Sequence, residues 1–320
     1  MEYINEYQSW VSNPEEYWME AAKQIDWVKF PTYALNSSRS PVGSWYEDGL
    51  VNTCYNAVDR HVADGMGENI AIIYDSPVTE TKKKISYNEL FTAVNRLASA
   101  LSANGIKKGD RCIIYMPMVP EALISMLAVA RIGAIHSVVF GGFAANELAV
   151  RIDDCKPKAI IAGSCGIEPG RIVEYKPLLD EAIVQASFKP EFCVIFQREE
   201  CLAELRTNRD YDWFEFQEGH TSIDAVPVGG MDPVYILYTS GTTGQPKGVV
   251  RPTGGHLVSL SWGMKNHYNI TKGDVFWAAS DVGWVVGHSY IVYAPLIIGC
   301  TTVLFEGKPV GTPDPGTFWR

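Results

Sequence analysis

The chain has no surplus of positive charge: 27 Lys and Arg stand against 37 Asp and Glu, a formal net charge of −10. A nucleic-acid surface should be basic, and an acidic chain is repelled by anionic membranes, so neither partner is expected. Cysteine is sparse as well. Seven are scattered (Cys54, Cys112, Cys155, Cys165, Cys193, Cys201 and Cys300), odd in number and without a Cys-x-x-Cys pair. That pattern suits reduced thiols in the cytoplasm, or in a mitochondrial matrix, and offers neither a disulfide framework nor a zinc site. The six histidines show no metal-ligand or triad spacing, and no G-x-S-x-G elbow is present, so Ser–His hydrolysis has no support. The first residues, Met1-Glu-Tyr-Ile-Asn-Glu-Tyr-Gln8, show no basic, apolar or Arg/Ser-rich leader, and no targeting peptide is expected. One run, 283–305, is long enough to cross a bilayer and holds no Asp, Glu, Lys or Arg and one histidine, His288. It also contains Gly283, Gly287, Pro295 and Gly299 and lacks a basic flank, which predicts a buried helix followed by a core strand at Thr301–Phe305.

What is present is an ordinary globular composition, 47% hydrophobic and 20% charged, in a length that suits two domains or one large α/β unit. Residues 1–60 are rich in aromatics, including Trp10, Trp18, Trp27 and Trp45, with weak periodicity. They read as an irregular segment wrapped on a main domain spanning 61–320. Ser86-Tyr-Asn-Glu89 is a capping box opening a helix whose core face holds Leu90, Val94, Leu97, Ala98 and Leu101. From there strands are predicted at 112–115, 135–140, 159–161 and 192–196, alternating with helices at 120–132, 146–154 and 175–186. That alternation means an α/β fold with doubly wound, mostly parallel sheets flanked by helices. Residues 198–232 break the pattern with dense charge and read as a surface excursion.

The most informative run is Tyr238-Thr-Ser-Gly-Thr-Thr-Gly-Gln-Pro-Lys-Gly248. It packs Thr239, Ser240, Thr242 and Thr243 with Gly241, Gly244 and Gly248 around Lys247, directly after the apolar run Val234-Tyr-Ile-Leu237. Glycines let backbone N–H groups turn inward, and inward N–H groups, hydroxyls and a lysine suit a polyphosphate. A Walker A loop is excluded by spacing: five residues after Gly241 comes Pro246, and Lys247 is followed by Gly248, not Ser or Thr. A polar linker is the bland alternative, and the preceding strand and the lone lysine argue against it.

Weaker candidates follow. Glu168-Pro-Gly-Arg171 precedes a predicted helix, and its arginine either clamps a phosphate or is simply solvated. Asp281-Val-Gly-Trp-Val-Val-Gly-His-Ser289 sets two glycines around an aromatic, a sign of close backbone approach or of plain core packing. The glycine-rich turn Gly141-Gly142-Phe143 is a weaker signal still, since any strand-to-helix turn can use such glycines.

The run 238–248 resembles the phosphate-loop signature of the adenylate-forming superfamily. Ala134-Ile-His-Ser-Val-Val-Phe-Gly-Gly-Phe143, Ser280-Asp-Val-Gly-Trp-Val-Val-Gly-His-Ser289 and the stretch 305–320 are similar to the short-chain acyl-CoA synthetases. The stretch 305–320, with 52–61 and Tyr74-Asp-Ser-Pro-Val78, is closer to propionyl-CoA than to acetyl-CoA synthetases. The resemblance runs through essentially the whole chain.

The resemblance implies an AMP-forming ligase that joins a short-chain carboxylate to ATP as an acyl-adenylate and passes the acyl group to coenzyme A. Thr239, Ser240, Gly241, Thr242, Thr243, Gly244 and Lys247 would hold the ATP phosphates, with Mg²⁺ riding on those phosphates. Glu168, Pro169, Gly170 and Arg171 would meet the coenzyme A nucleotide, although acetyl-CoA synthetases tend to carry a second arginine where this chain has Glu168. Trp284, Val285 and Val286 would line the acyl pocket. Val286 stands where acetyl-CoA synthetases usually have threonine, which favours propionate by only ~1 kcal/mol. An acetyl-CoA synthetase-type ligase and a non-catalytic nucleotide or coenzyme A binding module remain the alternative readings. The resemblance places the adenine- and ribose-binding segments and the adenylation lysine beyond Arg320. Residues 1–320 are therefore expected to be a fragment, with no catalytic residue of their own and a missing C-terminal half as partner.

Overall fold

The structure, a computed structural model, describes residues 3–39, 41–239, 246–308 and 311–319. Helices α1 (Tyr3–Ser12) and α2 (Pro14–Ala22) begin the chain, where weak periodicity predicts irregular backbone. α2 starts cleanly because the Asn13 side chain accepts the Glu16 N–H at 3.3 Å and Pro14 takes the first helical position. Trp18 on α2 packs against Trp45 and Trp262, at 6.0 and 5.6 Å between ring centroids, and so fastens the segment to the body.

The body opens with β1 (Ile70–Ser76), β2 (Thr81–Ser86) and α3 (Tyr87–Ala103). Both halves of the capping box form: the Ser86 hydroxyl accepts the Glu89 N–H at 3.2 Å and the Glu89 carboxylate accepts the Ser86 N–H at 2.7 Å. Then come β3 (Arg111–Tyr115), α4 (Pro120–Arg131), β4 (Ile135–Val138), α5 (Ala145–Cys155) and β5 (Ala159–Gly163). A hairpin of β6 (Cys165–Glu168) and β7 (Arg171–Glu174) leads to α6 (Tyr175–Gln185), β8 (Phe192–Phe196) and β9 (Asp210–Asp212). The run ends with β10 (Pro233–Thr239), β11 (Lys247–Pro252), α7 (Thr253–Asn266) and β12 (Val275–Phe276). A helical run follows, α8 (285–297), which is π-wound over His288–Tyr293, and after it β13 (Thr301–Phe305).

The large sheet has seven strands in the order β9-β8-β5-β3-β4-β10-β11, all parallel except β11. Successive side chains of a strand point to opposite faces, and both faces are covered. Cys112, Ile114, Ala159, Ile161 and Val194 join the core of α3 and α4. Ile113, Tyr115, Ile160, Ala162, Cys193 and Ile195 join that of α5 and α6. Double coverage is why these strands read as unbroken apolar runs. A second, four-stranded sheet has the order β12-β13-β1-β2.

The segment 198–232 is more than a surface excursion, because β9 extends the large sheet beside β8. The strand β11 is also absent from the sequence reading; Val249 and Val250 stay 41% and 52% exposed on an outer strand, so no burial pattern announces it. The run 283–305 forms the buried helix and core strand expected, and no described helix is long and apolar enough to cross a membrane.

Candidate functional site

From β3 the chain passes through α4 to β4 on one side, and from β4 through α5 to β5 on the other. At such a reversal the carboxyl ends of the strands leave a crevice, the usual ligand position in open α/β sheets. Here it is a cleft of about 320 Å³. Pro117 and Met118 follow β3, Phe140 and Gly141 follow β4, and Ile167, Glu168 and Pro169 belong to the hairpin after β5. The opposite wall is Trp277, Ser280, Asp281 and Trp284 with Phe305, Glu306 and Lys308, from the carboxyl end of β13 and the stretch before α8.

Glycines let these walls close. A side chain at Gly141 or at Gly166 would run into the Tyr175 hydroxyl, so the Tyr175 ring is held between two strand ends. A Cβ at Gly283 would stand 3.0 Å from the Phe140 backbone. These close approaches bring the Trp284 ring to 6.0 Å from that of Phe140.

Two acidic groups of the cleft differ sharply. Asp281 accepts the Gly283 N–H at 2.7 Å, yet burial lifts its carboxyl to about 6. Glu306 is compensated: Arg198 reaches its two oxygens at 2.5 and 3.1 Å, and the hydroxyls of Tyr74 and Ser76 donate to it at 2.5 and 2.8 Å. This pair is buried and ties β1 and β13 of the small sheet to the end of β8 in the large one. Behind the cleft, His136, His256 and His288 pack with Tyr235 and Tyr293 in the core, His256 edge-on to both tyrosines. Burial pushes His256 down to about 3 and His288 to about 4, and holds His136 well below its ordinary range.

The predicted phosphate loop falls between β10 and β11, which pair antiparallel up to Thr239 and Lys247. Ser240, Gly241, Thr242, Thr243 and Gly244 lie outside the described residues. The base is described: Thr239 pairs with Lys247 across the ladder, and the Thr239 hydroxyl donates to the Lys247 carbonyl at 3.5 Å. Lys247 is exposed and has no ion-pair partner among the described residues. The stem is fixed by the Tyr238 hydroxyl, which donates to Asp154 at 2.5 Å, while Arg151 sits over the Tyr238 ring at 5.6 Å. Because β10 runs parallel to β4, Thr239 at the end of β10 lies on the same side of the sheet as the cleft.

The other candidates are partly brought together. Glu168 and Arg171 end the two strands of the β6–β7 hairpin, with Pro169 and Gly170 as its turn; Gly170 has φ +79°, which fits a type II turn. Glu168 and Pro169 line the cleft, and Arg171 lies outside it, paired with Glu168. Trp284 lines the cleft, whereas Val285 and Val286, 44% and 47% exposed, do not. Sequence reasoning missed Asp281, Glu306, Arg198 and Tyr175. Glu306 carried a signal, a lone acid directly after an apolar strand; the others gain meaning only from their distant neighbours.

Known proteins match the chain along its length. Residues 59–320 match the family model of the AMP-binding enzyme, and residues 3–57 that of the acetyl-coenzyme A synthetase N-terminus. The mitochondrial acyl-CoA synthetase short-chain family member 3 of Rattus norvegicus is 55% identical over 320 residues, 100% of this chain and 47% of that protein. The propionate–CoA ligase of Escherichia coli (strain K12) is 44% identical over 322 residues, covering 100% of this chain and 51% of its own length. The chain thus spans about half the length of the curated relatives it matches. The acetoacetyl-CoA synthetase from Streptomyces lividans superposes with a TM-score of 0.88 at 22% identity, over 98% of this chain and 47% of that one, which shows a shared fold.

Proposed function

Because the chain belongs to the AMP-binding enzyme family, we propose that it carries the phosphate grip and part of the thioester-forming surface of an AMP-forming ligase for short-chain carboxylates. The observation that carries this reading is the β10–β11 hairpin. Its ladder sets Thr239 opposite Lys247 at the base of a bend rich in glycine and hydroxyls, on the same side of the sheet as the cleft.

A carboxylate is a poor acyl donor until one oxygen becomes part of a good leaving group. In the first step a carboxylate oxygen attacks the α-phosphorus of ATP, a P–O bond forms, and pyrophosphate departs. Lys247 and the hydroxyls of the bend stabilise charge on the departing phosphates. In the second step the coenzyme A sulfur attacks the acyl carbon and AMP leaves. Mg²⁺ would supply charge neutralisation on the phosphates, held by their oxygens and by water.

The coenzyme A nucleotide is assigned to the hairpin turn Glu168, Pro169, Gly170 and Arg171. Trp284, Val285 and Val286 are assigned to the acyl side, where an apolar Val286 favours propionate over acetate by ~1 kcal/mol. Free cysteines among the described residues fit a reducing compartment, cytoplasm or mitochondrial matrix. Residues 1–320 alone are expected to form acyl-adenylate very poorly.

The test is carboxylate-dependent exchange of pyrophosphate into ATP, in a protein carrying this chain together with the rest of its relatives' length. Exchange should appear with small carboxylates and be strongest with propionate. No exchange with any of acetate, propionate or butyrate contradicts the ligase reading, and a clear preference for acetate contradicts the substrate assignment.

A further inference from the structure

Glu168 is held twice, by Arg171 close in sequence and by Lys308 from a distant part of the chain. Arg171, across the two-residue turn, reaches one carboxylate oxygen with Nε at 2.9 Å and a terminal nitrogen at 2.7 Å. Lys308, beyond the end of β13, stands 3.2 Å from the other oxygen. The two cations face water, their side chains 69% and 56% exposed, whereas that of Glu168 is 29% exposed. The Lys308 N–H donates to the Thr312 hydroxyl at 3.0 Å. The turn is open to a ligand: a Cβ at Gly170 would meet nothing within 4 Å. On its outer side lies a second depression of about 440 Å³, shared by the turn with Val78 and Thr312.

A carboxylate with each oxygen on a separate cation occupies those cations as a phosphate would. A phosphate monoester carries more charge and a third oxygen, and it fits the same pair. We propose that Glu168 is a built-in competitor. The phosphate-bearing end of a nucleotide docks on the hairpin by displacing the Glu168 carboxylate, and Lys308 becomes a second phosphate contact beside Arg171. The opposed charges also keep Lys308 and Arg171 together when no ligand is bound, at a cost to affinity. This inference rests on the assignment of the hairpin to the coenzyme A nucleotide.

The test is calorimetric titration of the purified protein with adenosine 3′,5′-bisphosphate at low salt, with adenosine as the phosphate-free control. Exposed ion pairs are weak, so the effects are modest: Glu168→Gln should bind the bisphosphate about fourfold tighter, and Lys308→Met about fourfold weaker. Adenosine should show neither change. Both side chains are at the surface, and unchanged melting curves verify that the variants are folded. If the wild type binds but Glu168→Gln binds equally or more weakly, displacement is overturned while the nucleotide assignment survives. If Lys308→Met binds as the wild type does, the second contact is overturned. No binding by the wild type and Glu168→Gln alike overturns the proposal together with the assignment beneath it.

Discussion

Asp281 shows how one residue's environment sets both its charge and its cost. Its carboxyl faces the cleft with a single N–H donor, from Gly283, and burial raises it to about 6. The folded chain then binds a proton more tightly than the unfolded chain, whose carboxyl titrates near 3.8. Stability falls as pH rises from about 4 to 6 and is flat above. Asp281→Asn keeps an acceptor for Gly283 and removes the charge. It should raise stability at pH 7.5 by about 1–2 kcal/mol, discounted for water access, with no gain at pH 3.5. Denaturant titrations at the two pH values check this; an equal gain at both would show that the charge is not the cause. The bend 239–247 could be proposed as a phosphate grip from sequence because its residue types are compressed into a few neighbours. Asp281 and Glu306 were not legible, because their character comes from Phe140, Arg198 and Tyr74, which only folding brings near.

Elements meet behind the cleft in a histidine core. His136 comes from β4, His256 from α7 and His288 from α8, packed on Tyr235 of β10. Their folded values lie far below the ordinary 6.5, with His256 at about 3 and His288 at about 4. The unfolded chain therefore takes up protons first, and stability is lost as pH falls below 6.5. Each histidine contributes about 1.4 kcal/mol per pH unit until its folded value is reached. Acid unfolding should begin between pH 6 and 5 with a steep slope. His256→Leu, which removes two ring nitrogens with no described partner, should make that slope shallower by about one proton. An unchanged slope would place the acid sensitivity elsewhere. At this scale the alternation of strands and helices was readable, since a sheet buried on both faces leaves apolar runs at regular intervals. The strand β11 and the hairpin β6–β7 were not, because exposed or mixed side chains on short strands carry no period to read.

At the scale of the whole molecule, a buried charge pair links the two sheets beside their shared apolar core. Arg198 and Glu306 are each almost fully enclosed, and every oxygen of Glu306 is used by Arg198, Tyr74 or Ser76. Removing one partner strands the other charge. Arg198→Met should cost about 3–5 kcal/mol in urea unfolding and loosen the cleft wall at Phe305 and Lys308. A loss under 1 kcal/mol would mean that packing alone holds the sheets.

The central claim is that the bend between Thr239 and Lys247 grips the departing phosphates of ATP. It is tested most directly by Lys247→Ala in a protein that carries this chain and the rest of its relatives' length, with the two half-reactions measured separately. Carboxylate-dependent exchange of pyrophosphate into ATP should fall by about a hundredfold, while thioester formation from supplied acyl-adenylate should stay within a few-fold of the wild type. Equal losses in both half-reactions, or no loss in either, would contradict the account.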